Sequence, residues 1–131
     1  MRNLPDVAMT ADNVYVIYGG GQGGSFGGTS CATPLWAAFT ALMNQLALTN
    51  GEPTVGFINP AVYAIGKGSN FLSYSSLFHD ITTGNNENSS SPTRFLAVSG
   101  YDLCTGWGSP NGNELLKQLQ TWLMSQQKSN S

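Results

Sequence analysis

Between Val14 and Leu46 the chain passes from a β-branched and aromatic run, Val14-Tyr15-Val16-Ile17-Tyr18, through a stretch crowded with glycine, Gly19 to Gly28, into a segment of helical periodicity. The first run has the composition of a buried strand, and the glycines end it. Beyond Thr29 the residues Leu35, Phe39, Leu42, Met43 and Leu46 fall on one face at helical spacing, Pro34 suits an early helical position, and Asn50-Gly51 stops the helix. A strand, a glycine-rich loop and a helix mouth, in that order, bring unpaired backbone amides to one point. What those amides serve depends on which residues of the stretch are read together.

Gly19, Gly21 and Gly24 spell the G-x-G-x-x-G of a dinucleotide fold. Several residues part Gly24 from the helix, however, and Asn44 and Gln45 stand where an acidic residue should hold the ribose. Gly23 to Gly28 with Thr29 and Ser30 approaches a phosphate-binding loop, but Thr29 occupies the place of the lysine that neutralises phosphate. These departures weigh against both. A third reading takes Gly28-Thr29-Ser30 with Pro34 as a serine at a helix mouth. There the helix dipole and the free amides favour developing alkoxide charge, and Gly27, Gly28 and Ala32 leave room for a substrate. The same residues fit a Thr29 or Ser30 that only caps the helix. The local pattern does not separate the two.

The length of 131 residues suits one domain, or a piece of a larger one. Only 9% of residues are charged, five basic against seven acidic and without a basic cluster, so nucleic-acid binding is not expected. A surface this sparse in charge suits an acidic or extracellular setting. Cys31 and Cys104 are too few for a disulfide framework or a zinc site and are expected as two buried free thiols. Met1 to Thr10 contains Arg2 and Asp6 and no apolar run, so it is not read as a signal peptide; a secretion signal would lie upstream. No run approaches a membrane span.

Further along, Asn59-Pro60 is expected to cap and open a short helix through Ile65. Residues 66–100 read mostly as loop, with Asn85 to Ser91 an exposed excursion and a short strand around Phe95 to Val98. Asn111 opens a last helix with an apolar stripe of Leu115, Leu116, Leu119, Trp122 and Leu123, and Gln126 to Ser131 reads as a frayed tail. The class is α/β. One clear strand cannot cover two apolar helix faces, so the chain is expected to need partner strands from outside itself.

Phe78-His79-Asp80-Ile81-Thr82, followed by Ser99-Gly100-Tyr101-Asp102-Leu103-Cys104-Thr105-Gly106-Trp107-Gly108-Ser109-Pro110, resembles the C-terminal calcium-binding segment of the sedolisin family of serine-carboxyl peptidases. The resemblance extends to Arg2-Asn-Leu-Pro5-Asp6-Val7, to Gly28-Thr-Ser30 with Pro34-Leu-Trp-Ala, and to Gly56-Phe-Ile-Asn59-Pro60-Ala-Val-Tyr63. Singly these motifs are weak; four in order are specific. The resemblance implies the C-terminal portion of a subtilisin-like three-layer α/β fold spanning 1–131. Its parts would be a nucleophile helix over 29–50, a calcium-binding region over 78–110 and a C-terminal helix over 111–125.

By the same resemblance Ser30 is the nucleophile, Asp80 and Asp102 are carboxylate ligands of Ca²⁺, and Ile81, Val98 and Gly100 offer backbone carbonyls. With a water these would supply about the six hard oxygens that calcium takes. Val98 stands where relatives have glycine, so a positive φ there would be strained. His79 is then expected beside the calcium and not as the base of Ser30, and Asp80 with Asp102 as ligands and not as an acid-base pair. Asp6 is expected to be a hydrogen-bonded loop carboxylate. The family's glutamate base, its supporting aspartate and its oxyanion-hole aspartate belong upstream, and none is in this chain. The implied function is a secreted endopeptidase acting on polypeptides at acidic pH, inactive without the upstream part of the same catalytic domain. The alternative is a non-catalytic, calcium-stabilised binding or structural module.

Overall fold

The computed structural model describes residues 3–68 and 73–129. Along the chain run β1 (Val14–Tyr18), β2 (Gln22–Phe26), α1 (Thr29–Thr49), α2 (Asn59–Gly66), α3 (Tyr74–Leu77), β3 (Phe78–His79), β4 (Ser109–Pro110) and α4 (Gly112–Ser129). β1 pairs with β2, and β3 with β4, both antiparallel. The class is mixed α/β, as the sequence implies.

The core forms where the helices bring apolar residues together: Phe39 and Met43 of α1, Ala61, Val62 and Ile65 of α2, Leu115 and Leu119 of α4, and Leu77, Phe78 and Trp107 from the segments between. Phe39, Met43 and Ala47 recur at every fourth position and are the buried residues of α1. Leu35 and Leu42, expected on that face, are 41% and 53% exposed, so the buried stripe is turned away from them. In α4, Leu115 and Leu119 are fully enclosed, with Leu116 and Trp122 packed against the core. The helix continues to Ser129, past the start of the expected frayed tail; residues 130 and 131 and the side chain of Leu123 lie outside the described residues.

Of the two other expected helix starts, that of α2 differs in detail. Asn59 is the first residue of α2 and not its cap: Ile58 occupies that position, no side chain caps the helix, and proline follows in the first turn. Asn111 sends its side-chain amide to the Ser76 carbonyl (3.0 Å) and its own backbone amide to the Leu77 carbonyl (2.8 Å), which ties the entry of α4 to α3.

The glycine stretch is not simply a loop. Gly19, Gly20 and Gly21 turn with positive φ (53°, 78° and 114°), and Gln22–Phe26 returns as β2 alongside β1. Nor is β1 buried: Tyr15 is 68% and Ile17 72% exposed. The cause lies in its partner, since β2 offers glycine at two of its five positions and so gives β1 little side chain to pack against. Tyr15 lies over Gly23, where any Cβ would overlap its ring. On the other face Tyr18 and Phe26 meet edge to face across Gly24, centroids 5.7 Å apart.

β3 and β4 pair Phe78 with Pro110 and His79 with Ser109, which closes the base of the long 78–110 excursion. The expected strand at Phe95–Val98 reduces to one bridge between Asn85 and Leu96, because Phe95 turns to φ 62° and breaks the extended run. Cys31 and Cys104 are free as expected, but half-buried and not buried. No helix among the described residues is long and apolar enough to cross a membrane.

Candidate active site

Ser30 is the second residue of α1 and is exposed to solvent. Gly28 precedes the helix with φ 110° and ψ 167°, a conformation that a side chain would strain, and no side chain caps the helix. Neither Thr29 nor Ser30 therefore acts as the N-cap that the local pattern allowed. Pro34 lies inside α1, where its missing N–H leaves the Ser30 carbonyl without its helical donor. The serine thus sits at an open helix end where amide dipoles point outward.

The 78–110 excursion gathers the two aspartates. Asp102, 5% exposed, accepts the amides of Val98 (3.0 Å), Cys104 (2.9 Å) and Thr105 (2.6 Å), with the Thr105 hydroxyl at 3.1 Å. Asp80 accepts the Gly100 amide (2.9 Å) and the Tyr74 hydroxyl (3.1 Å). Amides two residues apart on one stretch of backbone are therefore held by the two carboxylates, which brings Asp80, Val98, Gly100 and Asp102 to one turn, with Ile81 next along the chain from Asp80. Gly100 takes φ 80°, where glycine is required, while Val98 stays out of the left-handed region, so the strain anticipated there is absent.

Among the described residues no Lys or Arg pairs with Asp80 or Asp102, and the carbonyls of Ile81, Val98 and Gly100 accept no hydrogen bond. Two anions and three unpaired carbonyls are a set of hard oxygens that could hold a calcium ion. Among the described residues no three His, Cys, Asp or Glu side chains cluster, so such an ion would draw on backbone for much of its shell.

His79 lies in β3, paired with Ser109 at the foot of this turn, and makes no hydrogen bond to Ser30 among the described residues. Asp6 accepts the Tyr63 hydroxyl at 2.8 Å, in keeping with a hydrogen-bonded loop carboxylate.

No protein-family model matches the chain. It is similar, however, to a tripeptidyl-peptidase of Aspergillus fumigatus (42% identity over 88% of this chain), to kumamolisin of Bacillus sp. strain MN-32 (40% over 90%) and to physarolisin of Physarum polycephalum (37% over 92%). These are sedolisins, and the likeness runs through nearly the whole chain. The chain belongs to the sedolisin family. It spans 16% of the length of the first of these relatives and 20% of the other two.

Charge in this sedolisin turn is set by competition. Burial pushes the Asp102 carboxyl up, but the amides of Thr105, Val98 and Cys104 and the Thr105 hydroxyl outweigh it and hold the group below the usual aspartate range. Burial, helped by the Asp102 charge, raises the Cys104 thiol. Tyr74 is raised as well, by burial first, then by its bond to Asp80 and the charges of Asp80 and Asp102. It also donates to the Trp107 carbonyl at 2.8 Å.

Tyr74 and Thr105 join the site without being among the residues that the sequence marks for it. Thr105 carries a readable signal, since an aspartate that collects amides two and three residues on is a common turn. Tyr74 carries none, because nothing in its own neighbourhood announces the Trp107 carbonyl 33 residues on.

Proposed function

We propose that this chain is the C-terminal part of a sedolisin-type catalytic domain and that the whole domain is a secreted serine-carboxyl peptidase acting on polypeptides. The reading rests on one observation above others: similarity to named peptidases extends over about nine-tenths of the chain. It is supported by a serine at a helix mouth that follows a positive-φ glycine. In this reading Ser30 attacks the scissile carbonyl. The helix-end amides add to the stabilisation of the oxyanion, and a carboxylate from the upstream part of the domain takes the serine proton. The subtilisin-like three-layer arrangement would be completed by that part, which would also cover the hairpin.

Asp80 and Asp102, with the carbonyls of Ile81, Val98 and Gly100, would hold Ca²⁺. The ion would neutralise two carboxylates that pair with no Lys or Arg among the described residues and would brace the turn. The residues themselves order the turn by hydrogen bonds, and the ion adds to an arrangement they already favour.

The test is the complete domain on a denatured protein at acidic pH. Ser30→Ala is expected to lower kcat by about 10³-fold or more, and internal cleavage is expected, in keeping with an endopeptidase. Release of tripeptides from free amino termini alone would overturn the endopeptidase mode. Full activity in the Ser30→Ala variant would overturn the nucleophile, and no hydrolysis by the complete wild-type domain would favour a non-catalytic, calcium-stabilised module.

A further inference from the structure

The segment from Pro5 to Ala11 carries no candidate ligand or nucleophile, yet it touches both ends of the site. At one end it meets the Asp102 turn. Asp102 and Gly106 exchange backbone hydrogen bonds (3.2 and 3.1 Å), and Gly106, at φ 63°, lies so close to Asp6 that a Cβ would overlap its backbone. The Trp107 amide donates to the Asp6 carbonyl (3.0 Å), the Ala8 amide to the Gly108 carbonyl (2.9 Å), and the Tyr101 hydroxyl to the Pro5 carbonyl (3.1 Å).

At the other end the same segment meets α1. The Trp36 indole donates to the Ala8 carbonyl at 2.9 Å, and the Gly28 amide to the Ala11 carbonyl at 2.6 Å. Side-chain packing between them is incomplete, since Val7, Met9 and Ala11 on one side and Thr29 and Ala32 on the other line a cavity of about 380 Å³. The first turn of the helix is also one hydrogen bond short, since Pro34 denies the Ser30 carbonyl a donor. The two hydrogen bonds tie the start of α1, and with it Ser30, to this segment.

We propose that the Pro5–Ala11 segment is a strap that sets the position of Ser30 in register with the Asp102 turn, with Trp36 and Gly106 as its positioning residues. Its consequence for catalysis rests on the peptidase reading above; the mechanical link does not. Whatever loosens the turn loosens the serine, although no residue of the turn is adjacent to it in sequence. A small displacement of a nucleophile is costly to rate even when folding is intact.

Hydrogen exchange, followed residue by residue in the full chain, tests the link. Trp36→Phe keeps an aromatic ring and removes one hydrogen bond; Gly28 is expected to exchange about tenfold faster, while the amides from Phe39 to Met43 keep their protection. Gly106→Ala disturbs the far end of the strap, and faster exchange is expected at Gly28 there too. Should Gly106→Ala be too unstable to measure, Trp36→Phe alone decides. Unchanged protection of Gly28 in the folded variants overturns the proposal.

In the complete domain, Trp36→Phe is expected to lower kcat per folded molecule about tenfold with KM changed less than about twofold. A merely structural tryptophan would reduce the folded fraction and leave kcat per folded molecule alone, which would also overturn the positioning role. If hydrolysis proves independent of Ser30, its role as nucleophile falls, and the exchange at Gly28 still decides the strap.

Discussion

Asp102 shows how a single side chain can order a loop. Its two oxygens take three amides and a hydroxyl, so replacing it removes several charge-assisted bonds at once. Asp102→Asn, which keeps the shape but turns one oxygen into a donor facing an amide, is expected to cost about 2–3 kcal/mol in urea unfolding. The effect has a definite pH dependence, because the folded carboxyl titrates below its unfolded value near about 3.9. The stabilisation is complete above the unfolded value and is lost as pH falls through the folded one. The gap between wild type and Asp102→Asn should therefore be level above about pH 5 and shrink below about pH 4. Gly66 is a second residue with one possible identity: a Cβ there would overlap the Trp107 indole. Gly66→Ala is expected to cost about 1–3 kcal/mol and to shift tryptophan fluorescence.

At the scale of elements, the helices carry the stability. Leu119 is fully enclosed between α4 and the core, and Leu119→Ala should cost about 2–5 kcal/mol by denaturant titration. These helices are legible in the sequence because their periodicity is local: Phe39 and Met43, or Leu115 and Leu119, state their face within a single turn. The hairpin is not. Val14–Tyr18 has the composition of a buried strand, but burial depends on what lies opposite, and much of what lies opposite is glycine. Composition also hides the second strand, since Gly23 and Gly24 lower strand propensity, and only the tyrosine and phenylalanine rings laid over them make that pairing favourable. Of the site, Ser30 and the aspartates can be named from motifs, whereas the strap cannot. Its bonds run from backbone to backbone or from the Trp36 and Tyr101 side chains to carbonyls, and they leave no mark on the residue types of the strap itself.

For the whole molecule, the calcium reading makes the turn a point of outside control. Chelation of the complete protein is expected to lower Tm, and calcium at a hundred times its Kd should add about 2.7 kcal/mol relative to the metal-free state. Scanning calorimetry with and without chelator measures the difference. In Asp80→Asn the response to calcium should largely vanish, because one of the two carboxylates is gone while the hydrogen bonds to Asp102 remain.

A hairpin with tyrosine and isoleucine turned outward makes the isolated chain a poor solitary molecule. As its concentration rises, copies should shelter one another's rings and scatter light, long before any loss of helix is visible by circular dichroism. Ile17→Lys ought to clear the solution while changing the unfolding free energy by no more than about 0.5 kcal/mol.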